Sequence, residues 1–168
     1  ELGPTFIKLG QVLSTRPDLF PDAYIQEFSK LTDRIPPFEF EEVLKILESE
    51  FGQNPTELFE EIQDSPIGSA SIAQAHLAKL KDREQEVVIK VQRPGIRKII
   101  QNDIQVLYFF AQTLEKFKED FQILNLTGLV KEFQRTINEE LDFTREARSI
   151  EQFHDNFENL SGIRIPEV

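Results

Sequence analysis

The stretch of this chain that most constrains its fold is residues 86–92, Glu-Val-Val-Ile-Lys-Val-Gln. It is dominated by β-branched residues, which is typical of a β-strand. Strand alternation places Val87, Ile89 and Val91 on one face, and Lys90 lies on the other. A lysine at such a position is either a solvated charge at the edge of a sheet or a cation held over a cleft.

A run of small residues precedes this strand. Gly68, Ser69, Ala70 and Ser71, here called the small-residue loop, lead into a second strand. A small-residue turn, a returning strand and a V-x-I-K strand are how kinase folds cover the phosphates of a nucleotide and place a lysine against them. This combination favours a nucleotide site at Lys90 over a plain edge charge.

Composition excludes several classes of function. The net charge of −11 argues against nucleic-acid binding, which needs a basic surface, and against simple adhesion to anionic lipid. The lack of cysteine excludes disulfides, thiolate metal sites and cysteine nucleophiles. No apolar run approaches the roughly eighteen residues of a membrane span. Neither His76 nor His154 has a second histidine at a metal-ligand spacing, so we expect no metal site within this chain.

Helical periodicity predicts most of the chain outside a β-region at about 67–92, so the expected fold class is α+β with a small antiparallel sheet. The predicted helices cover about 3–15, 21–34, 40–51, 55–62, 95–117 and 126–157, the last interrupted near Leu141. Ile35-Pro36-Pro37 is expected to be a rigid connector, and residues 163–168 are expected to be a strand that has lost its partner.

A phosphate-contacting lysine needs a carboxylate to hold it in place, and the candidate is Glu146. Asp142 and Glu146 fall on neighbouring turns of one helical face, while Glu140 is displaced from it unless the helix breaks. The alternative is a solvated acidic helix face, and the sequence leaves both interpretations open.

A glycine interrupts the amphipathic helix near the N-terminus. Gly10 costs about 1 kcal/mol relative to alanine, and such a glycine often marks a close backbone approach. Its neighbours Lys8 and Gln11 could both reach into a polar site. An incidental glycine in an ordinary helix is the alternative.

Together these segments resemble the atypical kinases of the UbiB/ADCK family over essentially the whole chain. Lys8-Leu9-Gly10-Gln11 matches the family's KxGQ motif, the small-residue loop stands at its Ala-rich loop, and residues 87–90 match its nucleotide-lysine strand. Glu140-Leu141-Asp142 matches the ExD motif, and Glu146 takes the place of the helix glutamate that pairs with the lysine. Gly68 departs from the family's first alanine, so the loop is expected to be more mobile.

The resemblance implies a protein-kinase-like N-lobe with family-specific N-terminal and inserted helices, truncated before the C-lobe. Residues 1–62 would form the helical N-terminal extension, and residues 63–168 the incomplete N-lobe. Lys90 would bind the phosphates of ATP or ADP, and Glu146 would orient Lys90. The small-residue loop would lie over the phosphates through its backbone N–H groups.

The resemblance also implies a gate and a metal. The KxGQ helix, through Lys8, Gly10 and Gln11, would cover the cleft and face Glu140 and Asp142. Mg²⁺ would be held by ligands in the missing C-lobe. The chain has no methionine, even at position 1, and we expect it to be cut from a longer protein.

The implied function is the nucleotide-binding part of an atypical kinase or ATPase that supports quinone (ubiquinone or plastoquinone) or prenyl-lipid biosynthesis. Alone, the chain is expected to be inactive because the C-lobe residues are missing. The alternative is a non-catalytic, pseudokinase-like regulator or scaffold of a lipid-biosynthetic complex. The implied partners are a nucleotide, membrane lipid and quinone-biosynthesis proteins. The implied location is the cytoplasm or membrane periphery of a cyanobacterium-like bacterium, or a plastid.

Overall fold

The structure, a computed structural model, describes residues 3–31, 35–82, 85–117, 124–158, 160 and 162–168. The chain forms two compact units, residues 1–110 and 111–168. In chain order the elements are α1 (Gly3–Ser14), α2 (Asp22–Phe28), α3 (Phe40–Phe51), α4 (Pro55–Leu58), β1 (Phe59–Ile62), β2 (Gly68–Ser69), β3 (Ala73–Leu80), β4 (Glu86–Gln92), α5 (Ile96–Phe117), α6 (Leu126–Glu140) and α7 (Phe143–Phe157). The division between residues 62 and 63 expected from the sequence stays a prediction.

The first unit contains one antiparallel sheet in which β3 pairs with the three other strands. β1 and β2 pair with successive stretches of β3, and β4 pairs with β3 at residues 73–79. The α+β class and the small antiparallel sheet predicted from the sequence are therefore confirmed.

One face of β4 packs against α3. Val91 forms a buried cluster with Val43 and Leu47 of α3, and Ile89 packs at its margin. Val88, on the other face, is 57% exposed. The alternation predicted for residues 86–92 is thus present, because only one face of the strand is covered.

Two local predictions were wrong, and a third is not tested. The second helix ends at Phe28 rather than near residue 34, and residues 32–34 lie outside the described part of the chain. The helix begun at Asn54 ends after four residues, since the chain from Phe59 pairs with β3. Asn54 does cap this helix, but strand pairing overrides the local helical signal. Residues 163–168 pair with no strand among the described residues, so the strand without a partner that the sequence suggests there stays a prediction.

The second unit contains the end of α5, followed by α6 and α7. Glu115 near the end of α5 accepts hydrogen bonds from Thr127 N (2.8 Å) and Thr127 Oγ1 (2.6 Å), which ties the start of α6 to α5. These two donors lower the pKa of the Glu115 carboxyl. The helical interruption predicted near Leu141 is confirmed. No helix in the described ranges is both long and apolar enough to cross a membrane.

A buried polar chain joins the segment before α3 to the sheet. Gln74 is 2% exposed, and its side chain bonds the backbone of Phe38 twice: Oε1 accepts from Phe38 N at 3.0 Å, and Nε2 donates to Phe38 O at 3.2 Å. Gln74 Nε2 also lies 2.9 Å from His76 Nε2. That ring nitrogen is therefore the acceptor, and His76 Nδ1–H donates to the Gln63 carbonyl at 2.7 Å. The Gln74 amide thus stands in for a backbone partner.

We predict that Gln74→Leu destabilises the protein by about 2 kcal/mol or more, because buried polar groups left without partners cost about 1–3 kcal/mol each. Urea unfolding followed by circular dichroism measures this loss. Gln105→Leu, on the exposed face of α5, is the matched control and should change stability little. Equal losses in the two variants would contradict a structural role for the Gln74 contacts.

Candidate nucleotide site

Lys90 belongs to a row of residues that crosses three strands. Gly68 of β2 pairs with Ala75 of β3, and Ala75 pairs with Lys90 of β4. Paired residues of an antiparallel sheet share a face, so this row lies on the face opposite to Val91. With neighbouring strands about 4.8 Å apart, Gly68 and Lys90 lie about 10 Å apart. Between them the row carries a single methyl group, which leaves an open surface beside the lysine.

The edge-charge interpretation of Lys90 has a structural basis too. Among the described strands β4 pairs with β3 alone, and Lys90 is exposed. The row also has open space next to its backbone, because a Cβ atom built at Gly68 would have no heavy atom within 4 Å. A phosphate could therefore approach the backbone there and still be within reach of a lysine side chain.

The end of the small-residue loop forms a tight turn between β2 and β3. Ala70 N–H donates to the Ala73 carbonyl at 2.8 Å, and the Ile72 carbonyl accepts from Arg93 N–H at 2.9 Å. Ser71 and Ile72 are buried within the turn. The Ala70 N–H is therefore used by the protein itself. The phosphate contacts expected of the small-residue loop stay a prediction.

The sequence reasoning missed Arg93, whose side chain makes two hydrogen bonds to this turn. Arg93 Nε donates to the Ala70 carbonyl at 2.9 Å, and Nη2 donates to Ser69 Oγ at 2.9 Å. Nη2 also donates to the Pro36 carbonyl at 2.9 Å, and the guanidinium carbon lies 5.6 Å from the centre of the Phe38 ring. Burial lowers the pKa of Arg93, although arginine remains charged at neutral pH.

A signal for Arg93 was present in the sequence. Arg93 follows β4 directly and alternates in phase with Val91, so it belongs to the covered side of the strand. A cation on a covered side needs several acceptors nearby. Its partners could not be read from the sequence, because most of them are backbone carbonyls and they belong to two distant segments.

In the N-terminal helix the expected close approach occurs at Gly10. Gly10 is buried, and a Cβ atom built there would lie 2.1 Å from Leu31 Cδ1. The neighbour is thus an apolar side chain from the segment after α2. Lys8 and Gln11 are both partly buried. Their contact with Glu140 and Asp142 stays a prediction, because those carboxylates belong to the second unit.

A second contact anchors α1 within the first unit. Thr5 is fully buried, and its hydroxyl donates to the Asp103 carboxylate of α5. The helix that carries the KxGQ-like residues is therefore held at Thr5 by α5 and at Gly10 by the chain after α2.

The ExD-like residues lie where α6 and α7 meet. Glu140 is the last residue of α6, and Asp142 caps α7 by accepting from Arg145 N at 3.1 Å. Glu146 N–H donates to the Asp142 carbonyl at 3.3 Å, so these two residues are one helical turn apart, as predicted. The break at Leu141 changes the direction of the chain between Glu140 and Asp142.

Two expectations about the site remain predictions. Lys90 lies in the first unit and Glu146 in the second, so their ion pair is not established. Among the described residues, no three His, Asp or Glu side chains form a group that could hold a metal ion.

Comparison with known proteins decides the family. A model of the ABC1 atypical kinase-like domain matches residues 30–168. This chain belongs to the ABC1 atypical kinase-like family. The resemblance drawn from the KxGQ-like, loop, lysine-strand and ExD-like motifs is therefore confirmed at the level of the family.

This chain has relatives among bacterial proteins and among chloroplastic proteins of plants. The probable protein kinase UbiB of Marinobacter nauticus is 45% identical over the whole chain, which covers 30% of that protein. The UbiB protein of Pseudomonas fluorescens is 42% identical, with 31% covered. ACTIVITY OF BC1 COMPLEX KINASE 7, a chloroplastic protein of Arabidopsis thaliana, is 39% identical, with 24% covered. The chain thus spans about three tenths of the length of its UbiB relatives.

A solved structure supports the fold assignment. A Mycobacterium tuberculosis protein, solved in complex with erythromycin, matches with a TM-score of 0.56 and 28% identity. The match covers 95% of this chain and 40% of the other. The α+β, kinase-like fold class predicted from the sequence agrees with this similarity.

The junction at the ExD-like residues gives a testable pKa. Arg145 Nη1 lies 2.8 Å from Glu139 Oε1, and its hydrogen bond lowers the pKa of the Glu139 carboxyl, while Arg135 lies 3.7 Å away. We predict that Arg145→Gln raises this pKa towards its ordinary value, and that the control Arg135→Gln raises it less. Carboxyl ¹³C NMR titration measures both.

The sign of the linked stability follows from the depressed pKa. The pair stabilises the fold above the pKa of Glu139 in the unfolded state, and this contribution disappears as the pH falls through the folded-state pKa. If Arg135→Gln raised the pKa of Glu139 more than Arg145→Gln does, the geometry of the junction would be contradicted.

Proposed function

We propose that this chain is the nucleotide-binding part of a UbiB-like atypical kinase or ATPase that supports quinone or prenyl-lipid biosynthesis. The observation that carries the proposal is the row from Gly68 through Ala75 to Lys90, which combines an open backbone with a cation on one face of the sheet. Membership of the ABC1 family supports the kinase class, and the names of the UbiB relatives suggest the quinone pathway.

In this proposal Lys90 contacts the phosphates of ATP or ADP from the edge of β4. Gly68 and Ala75 leave room for the phosphates beside it, and the small-residue loop covers them. Glu146 orients the lysine. Opposite charges about 4 Å apart interact by roughly 4 kcal/mol at an effective dielectric near 20, before desolvation is subtracted. Phosphoryl transfer depends mainly on such positioning and charge stabilisation.

The remaining parts of the site follow the same proposal. Lys8 and Gln11 of α1 reach Glu140 and Asp142 and gate the cleft, and Gly10 lets that helix pack closely. Mg²⁺ would be held by ligands in the C-lobe, and it would supply positive charge to neutralise the phosphates. Membrane lipid and quinone-biosynthesis proteins are the proposed partners. The proposed location is the cytoplasm or membrane periphery of a bacterium, or a plastid.

We predict that Lys90→Ala in the full-length protein weakens ATP binding at least about tenfold, since a charge-assisted contact is lost, and leaves the melting temperature nearly unchanged. Lys79→Ala is the matched control. It lies on the same face four positions from Ala75 along β3, or about 13 Å away, and pairs with Glu60. Isothermal titration calorimetry measures both affinities. Equal affinity in the Lys90 variant and the wild type would remove Lys90 from the site.

Gly68→Ala separates a ligand effect from a folding effect. A Cβ atom has open space at Gly68, so we predict an unchanged melting temperature but an altered affinity or ATP-to-ADP preference. Gly95→Ala is expected to lower the melting temperature and leave the nucleotide affinities unchanged. Gly95 has φ +71°, and alanine in that conformation is strained by about 1 kcal/mol. Unchanged binding of both nucleotides to Gly68→Ala would leave the loop as a plain turn.

Turnover then distinguishes the enzyme from the non-catalytic alternative. ATP hydrolysis or phosphoryl transfer by the full-length protein, measured with and without lipid vesicles, supports the kinase or ATPase. Tight nucleotide binding without any turnover supports the pseudokinase-like regulator.

A further inference from the structure

Arg93 approaches the small-residue loop from the side opposite to Lys90. Arg93 alternates in phase with Val91, whose side chain is 3% exposed in the cluster with α3, whereas Lys90 occupies the other face. The Arg93 side chain bonds Ser69 and the Ala70 carbonyl on this covered side. A ligand held by Lys90 would therefore lie across the sheet from the guanidinium.

We propose that Arg93 is a positioning residue for the nucleotide site, which holds the turn at residues 69–72 in one conformation and couples it to the connector Ile35-Pro36-Pro37. The proposal rests on the nucleotide-binding function proposed above and names a residue that regulates that same site. Through Arg93, the connector at residues 35–37 would influence nucleotide affinity without contacting the nucleotide.

The contacts with the turn fix it at three points. Nε bonds the Ala70 carbonyl, Nη2 bonds Ser69 Oγ, and the Arg93 backbone N–H bonds the Ile72 carbonyl, each at 2.9 Å. These bonds hold both sides of the turn. Ala70 N–H closes the turn on itself through Ala73. The orientation of the loop backbone towards the Lys90 face therefore depends on where Arg93 lies.

The connector contacts supply the coupling. The same Nη2 atom donates to the Pro36 carbonyl at 2.9 Å, and the guanidinium lies over the Phe38 ring. Gln74, a neighbour of the turn on β3, bonds both backbone groups of Phe38. A shift of the connector thus changes the acceptors that position Arg93, and through Arg93 the turn.

Lysine cannot replace arginine at this position. The contacts use two nitrogens of one planar group at fixed separation, and the same plane lies over an aromatic ring. A single ammonium carries the same charge but cannot reproduce this geometry. Arg93→Lys therefore tests the geometry and not the charge.

The experiment uses the full-length protein and the variants Arg93→Lys and Ser69→Ala, with Arg16→Lys as the control. Arg16 is another arginine of the first unit, and it pairs with Asp18. Calorimetry gives the affinities for ADP and a non-hydrolysable ATP analogue well below the melting temperature. Hydrogen exchange reports the protection of residues 69–72 without any nucleotide.

We expect Arg93→Lys to weaken binding of the ATP analogue about tenfold or more, to change the ATP-to-ADP ratio, and to raise exchange at residues 69–72. Arg16→Lys should change none of these. Ser69→Ala should show a smaller effect that vanishes when combined with Arg93→Lys, because the hydroxyl acts through the arginine. A merely structural arginine would lower the melting temperature and leave the affinity ratio unaltered.

The outcomes separate this inference from the proposed function. If the wild-type protein binds nucleotide and Arg93→Lys binds both nucleotides equally well, the positioning role is wrong and the nucleotide site stands. If the wild-type protein binds neither nucleotide, the proposed function is wrong, and with it any role of Arg93 at such a site. Should Arg93→Lys fail to fold, Ser69→Ala decides: unchanged affinities and exchange in that variant overturn the proposal.

Discussion

The first unit depends on a cation that is placed between backbone carbonyls. Arg93 is partly buried, and its guanidinium is satisfied by the Ala70 and Pro36 carbonyls and by Ser69 Oγ. Removing a charge from water is costly unless its donors find acceptors, so these segments must come together for the fold to tolerate the arginine. The requirement is mutual, since the carbonyls of a connector and a turn also need donors when they are covered.

The proposed nucleotide chemistry occupies the other side of the same sheet. The core formed with α3 requires large apolar side chains such as Val91, whereas the row at Lys90 contains a glycine and an alanine. One face of β4 therefore packs against α3, and the other face is accessible to a ligand. The consequence is that substitutions in β4 should divide by face into those that change stability and those that change binding.

Much of the fold could be predicted because its signals are local. The helix ending at Gly52, the long helix from Ile96 and the interruption at Leu141 follow from a left-handed glycine, apolar periodicity and capping. β1 could not be predicted, because Phe59 joins the sheet through its pairing with Leu80, far along the chain. The lysine of β4 and the glycine of β2 were evident from residue types alone.

The candidate site shows the same limit. Gly10 was expected to mark a close approach, which is correct, but the identity of the neighbour, Leu31, depends on how the chain leaves α2. Arg93 was overlooked because most of its partners are main-chain carbonyls, and the residue types of a sequence do not show which carbonyls will lie near it. Pairings between residues of the two units, such as Lys90 with Glu146, depend on an arrangement that neither periodicity nor local capping specifies.

The bond between Thr5 and Asp103 also has a consequence for the order of folding. These residues are 98 positions apart, so α1 is synthesised long before its anchor exists. Contacts between distant positions form late, since the intervening chain must first be ordered. The helix that carries Lys8 can pack against Leu31 early in synthesis, whereas its bond to α5 through Thr5 forms only after Asp103 has been made. In nascent chains that stop before Asp103, the Thr5 hydroxyl would lack this carboxylate.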